Sequence, residues 1–112
     1  MNANDQLKEY TCTESYYRYL LGMLLTDGTK ALCETFECFW FIDIVCSYQP
    51  ELKGEDFQVW TLRKNQDSSG RVVCTDGNDR VLKSQAIPFI MFEAERATVW
   101  VEGNVVLLPS EH

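Results

Sequence analysis

Residues 38–48, CFWFIDIVCSY, constrain this chain more than any other segment, because only Asp43 and Ser47 interrupt an otherwise apolar run. The run is far short of the roughly 20 residues a bilayer-crossing helix needs. It is therefore core, and must be covered by the rest of the fold or by another subunit. Its length, and the Pro50–Gly54 turn that follows, favour a helix over a buried strand, since a proline and a polar turn commonly stop helices. Asp43 is the costly residue. A carboxylate amid Phe41, Ile42, Ile44 and Val45 needs water or a partner. Three readings stay open. It faces the one wet side of its helix, it is a buried carboxylate held by Arg18 or by the hydroxyls of Tyr16, Tyr17 and Tyr19, or it is a functional carboxylate with a raised pKa.

Upstream, residues 1–9 are polar and read as a short helix or a loose arm. Thr11–Tyr19 suits helix and strand alike. Leu20–Leu25 is apolar and stops at Thr26-Asp27-Gly28, where Thr26 or Asp27 can cap a following helix. Thr29–Phe36 then reads as that helix, with Leu32, Cys33 and Phe36 on one face. After Gly54 the period drops to two. Strands are expected at Phe57–Leu62, Arg71–Cys74, Arg80–Ala86, Thr98–Val101 and Asn104–Leu108, joined by turns at Asn65–Gly70, Thr75–Asn78 and Glu102–Gly103. Phe89–Glu93 reads as a short strand or loop, and residues 109–112 as a surface tail. The sequence thus predicts a single α+β domain over 1–112, with two or three N-terminal helices packed on a four- to five-stranded antiparallel sheet.

The charges exclude some partners. Seventeen acidic against ten basic residues give a net charge of −7, which opposes direct binding to phosphate backbones and to anionic membranes. The excess sits in residues 1–56, with ten acids against four bases; residues 57–112 hold seven against six. The five cysteines, Cys12, Cys33, Cys38, Cys46 and Cys74, are an odd number without a preceding signal peptide. That predicts a cytoplasmic protein with free thiols. A lone Cys33/Cys38 pair and a terminal His112 make neither a zinc site nor a histidine-based catalyst. No phosphate-binding glycine loop is present, so no cofactor is expected.

The strings TCTESYYR (11–18), LLTDGTK (24–30), FWFID (39–43), SYQ (47–49) and VVLLPSE (105–111) together resemble an uncharacterised domain-of-unknown-function family of short bacterial and phage proteins. The resemblance implies a compact stand-alone domain and a mobile-element origin, and brings no catalytic residues. The leading expectation is a small acidic protein-interaction module rather than an enzyme. Its acidic helical half would meet a basic protein surface through Glu34, Glu37, Glu51, Glu55 and Asp56. Carried by a phage, such a module would act on a host defence or nucleic-acid-handling complex. The alternative is a small-ligand or enzymatic pocket lined by Tyr16, Tyr17, Arg18, Trp40 and Asp43, with Arg18 holding an anion and Asp43 acting as base. Homodimerisation through residues 38–48 or an exposed strand edge is a further expectation.

Overall fold

Alternation decides the C-terminal half. In the computed structural model, which describes residues 2–112, the chain forms β1 (Tyr16–Arg18), β2 (Leu24–Thr26), α1 (Asp27–Phe36), α2 (Phe39–Ser47), β3 (Phe57–Lys64), β4 (Gly70–Thr75), β5 (Val81–Ile87), β6 (Arg96–Glu102) and β7 (Val105–Leu107). Along β3, Gln58, Trp60 and Leu62 are buried while Phe57, Val59 and Thr61 are half-covered. On β6, Ala97, Val99 and Val101 are buried between half-covered neighbours. This period-two pattern is that of an antiparallel sheet packed on one face only.

The five hairpin strands expected from the sequence are β3 to β7, but the sheet has seven strands, in the order β1-β2-β7-β6-β3-β4-β5. The two additional strands precede the helices, so the helices are not simply N-terminal to the sheet. The sheet is also not wholly antiparallel, because β2 runs parallel to β7, with Leu24 beside Val105 and Leu25 beside Val106. Strands of three residues are too short to show a period, which is why the apolar Leu20–Leu25 run conceals one. That run breaks at Leu21, which takes a left-handed conformation (φ 56°), and Leu24–Thr26 then enters the sheet.

Both helices cover one sheet face. From α1 come Leu32, Cys33 and Phe36, and from α2 Phe41, Ile42, Val45 and Cys46, against Leu25, Trp60, Leu62, Val72, Val99, Val101 and Val106. The Cys38–Tyr48 run is the helix α2, but it is not covered on all sides: Phe39 is exposed, and Trp40, Asp43 and Ile44 are half-buried. One polar network lies in this core. The fully buried Gln58 exchanges amide hydrogen bonds with Gln49 at 2.9 and 3.0 Å, and its Oε1 accepts from Trp60 Nε1 at 2.8 Å. The indole N–H is thereby satisfied without water.

The expected loose ends are fastened. Within the described part of the 1–9 arm, Ala3 and Leu7 are buried, and Asn4 bonds both the N–H and the C=O of Thr98; Met1 lies outside the described residues. At the other end Pro109–Glu111 forms a 3-10 turn, and Glu111 reaches back into the fold.

Candidate functional site

Three of the five quoted strings meet at the start of α1. The first three amides of this helix have no intrahelical acceptor, and three different segments supply one. Asp27 N–H donates to Thr13 Oγ1 at 2.9 Å, Gly28 N–H to Glu111 Oε2 at 3.0 Å, and Thr29 N–H to Thr26 Oγ1 at 3.3 Å. Glu111 Oε1 also accepts from Thr26 Oγ1 at 2.6 Å and from Leu108 N–H at 2.9 Å. Its negative charge sits where a helix N-terminus favours one. Glycine at position 28 leaves room for this approach, since a Cβ there would lie 2.5 Å from Glu111 Oε1 and 2.8 Å from Leu108 Cδ1 and would displace those side chains. Asp27 in turn accepts from the N–H of Glu14 and from the hydroxyl of Tyr17, both at 2.9 Å, which holds its carboxyl below the usual range. Thus 11–18, 24–30 and 105–111 are one hydrogen-bonded fastening.

The alternative pocket is not assembled as expected. Arg18 is exposed on β1 opposite Leu24, and no hydrogen bond or ion pair joins it to Asp43 among the described residues. Asp43 accepts instead from the hydroxyl of Tyr19, whose ring stacks on Phe39 with centroids 6.0 Å apart. Burial first, then this hydrogen bond, pushes the Tyr19 phenol well above its ordinary pKa. Asp43 is therefore a half-buried carboxylate with a tyrosine partner. Tyr16 is exposed, Trp40 packs at the core margin, and Tyr17 belongs to the α1 fastening, lining a hollow of about 280 Å³ with Asp27, Lys30 and Glu34.

The five candidate partner-binding acids fall on two segments. Glu34 is paired with Lys30 at 3.1 Å, Glu51 with Lys83 at 3.0 Å, and Glu55 with Arg80 at 2.8 Å. Asp56 is exposed just before β3. Glu37 is exposed as the left-handed C-cap of α1 (φ 51°), its N–H bonded to Cys33 O. This is a position where glycine is the favoured residue.

Glu37 also lines a hollow of about 430 Å³ together with Phe36, Phe89, Met91, Phe92 and Glu93, and with Lys64, whose Nζ donates to Phe92 O at 2.9 Å. Phe89 and Met91 are 66% and 82% exposed, the largest such values among the described large apolar side chains together with Leu21 at 67%. Phe36 and Phe92 form the floor, their rings 5.8 Å apart. The sequence marks 89–93 only as a strand or loop anchored by aromatics. The missed signal is its alternation, Phe89 and Met91 outward against Ile90 and Phe92 inward, in a segment that adds no strand to the sheet.

Thiol chemistry is unsupported by the geometry. Burial holds the Cys46 and Cys74 thiols up at about 12, and Cys33 is raised by its hydrogen bond to Cys38 and by burial; only Cys12 is exposed. Among the described residues no group of three metal-ligating side chains comes together, and no helix is long and apolar enough to cross a membrane.

These features define a mixed α+β domain, a seven-stranded sheet with two helices on one face, whose motif residues are engaged in internal hydrogen bonds. The chain belongs to the family of unknown function DUF6876, whose model matches residues 1–112. No curated protein and no solved structure matches it.

Proposed function

We propose that this protein is a small interaction module that binds another protein through the acid-rimmed apolar hollow at the end of α1. The observation that carries this is the exposure of Phe89 and Met91 between Glu37 and Glu93. Apolar anchors with a polar rim are the usual anatomy of a protein-binding surface, and a methionine adapts to irregular partners. The partner has basic side chains around an apolar anchor, in keeping with the net charge of −7. Backbone conformation at Glu37 supports the same reading. Holding a glutamate where glycine fits better costs stability, of order 1 kcal/mol, and such a cost is tolerated where the side chain is used. Of the acids first singled out, Glu37 and Asp56 remain for a partner, because Glu34, Glu51 and Glu55 already face cations of this chain. Action on a host defence or nucleic-acid-handling complex is the setting in which a basic partner of this kind is found.

The test separates binding from folding. Glu37→Gly is expected to raise thermal stability by about 4 °C, from ~1 kcal/mol spread over a domain of this size. The same variant, and Met91→Asp, are expected to lose salt-sensitive capture of a basic partner from host lysate. Capture by both variants at the level of the unaltered chain would overturn the proposal.

A further inference from the structure

The sheet face opposite the helices carries a row of three arginines. Arg63 on β3 stands directly across from Arg71 on β4 and from Arg96 on β6. Like charges in directly opposed positions destabilise a sheet, and the chain has seventeen acidic residues with which to offset them. Of the seven cations outside the row it does so for four, Lys8, Lys30, Arg80 and Lys83, each of which has a carboxylate partner. None of the three row arginines has an ion pair among the described residues, and the one side-chain bond is from Arg71 to Ser84 Oγ at 2.8 Å. Glu95 lies in an adjoining hollow with Arg63 and Arg96. The guanidinium groups border a hollow of about 360 Å³ whose remaining lining is Thr61, Val73 and Thr75.

We propose that this row is a binding site for a small multiply charged oxyanion of diphosphate type. Guanidinium forks match phosphate oxygens in pairs. Three of them on neighbouring strands span roughly 10 Å, two strand spacings, which suits two linked phosphoryl groups better than one. Threonine hydroxyls beside them offer further donors. The half of the chain that holds the row, residues 57–112, is almost balanced in charge, with seven acids and six bases, so the acidic surplus of the helical half is not concentrated here.

Isothermal titration of the full chain at low ionic strength tests this, using inorganic pyrophosphate, orthophosphate and ADP as probes. Pyrophosphate is expected to bind more tightly than orthophosphate. Arg63→Gln and Arg71→Gln are each expected to weaken it roughly tenfold or more, as loss of a charged partner does, while Lys53→Gln, an equal change in net charge at an exposed turn, leaves it unaltered. ADP binding as tightly as pyrophosphate identifies nucleotide phosphates as the source; weaker ADP binding identifies the free anion. Both arginine variants remove a repulsion, so neither is expected to melt below the unaltered protein. No heat with pyrophosphate at millimolar concentration, or equal weakening in Lys53→Gln, would overturn the assignment.

Discussion

Replacing Glu111 by alanine is expected to cost far more than its place near the chain terminus suggests. The side chain accepts three hydrogen bonds, from Thr26 Oγ1, Gly28 N–H and Leu108 N–H. Truncation leaves two backbone donors without an acceptor, each worth about 1–3 kcal/mol when buried. Glu111 is only half-buried, so water replaces part of the loss, and the lower end of that range applies to each. Adding the carboxylate's interaction with the helix dipole, at about 0.5 kcal/mol, gives a total near 2.5 kcal/mol. For a domain of this length that corresponds to a fall in Tm of roughly 11 °C. Glu111→Gln keeps one acceptor oxygen and should lose about 1 kcal/mol. Urea denaturation monitored by tryptophan fluorescence reads both values. Gly28→Ala adds a check on mechanism, because its Cβ collides with Glu111 Oε1 at 2.5 Å. It should be more damaging in the unaltered protein than in Glu111→Ala, the non-additivity that contacting residues show. A loss below about 0.5 kcal/mol for Glu111→Ala would refute the reasoning, since surface substitutions lie in that range.

In the native protein one of the five thiols, Cys12, should react promptly with Ellman's reagent, and all five only after unfolding; prompt reaction of a second thiol would contradict the burial of the rest. Gln58→Leu should cost about 2 kcal/mol in urea denaturation, because it strands the buried Trp60 indole N–H and leaves the half-buried Gln49 amide with Val45 O alone; a neutral effect would mean the network contributes nothing. Asp27 has a lowered pKa, caused first by the Glu14 N–H and then by the Tyr17 hydroxyl. Its contribution is therefore complete above the unfolded aspartate value of about 3.9 and fades as pH falls through the lower folded value. Asp27→Asn should be less stable than the unaltered chain at pH 7, with the gap narrowing as pH falls below the unfolded aspartate value of about 3.9; a gap independent of pH would rule out ionisation as its source.

The sequence made the hairpin strands readable because alternation survives over the length of β3 and β6, and because Asn65–Gly70, Asp76–Gly77 and Glu102–Gly103 are turns by composition. It concealed β1 and β2, which span three residues each and owe their pairing to distant partners. Thr26 as a helix cap was legible, since its acceptor role is local; Glu111 was not, since its contact with Gly28 crosses 83 positions of sequence. Asp43 was identified as needing a partner, and tyrosine hydroxyls were among those named, yet nothing local selects Tyr19 over its neighbours. Arg63, Arg71 and Arg96 lie far apart in the chain and become a row only when the register of three strands is known. Acidic side chains misled in the opposite direction. Their number is plain in the sequence, but the ion pairs that occupy Glu34, Glu51 and Glu55 are not all local, Glu51 and Glu55 being paired across to Lys83 and Arg80.

Central to this account is the claim that the shared strings at 11–18, 24–30 and 105–111 fasten the fold rather than perform chemistry. Native-state hydrogen exchange of the Asp27, Gly28 and Thr29 amides tests it most directly. First-turn amides of a helix ordinarily exchange through local fraying; here side chains from three segments hold them. The account predicts protection close to that of the Trp60 and Val99 amides in the centre of the sheet. Exchange at rates near those of an unstructured chain would contradict it.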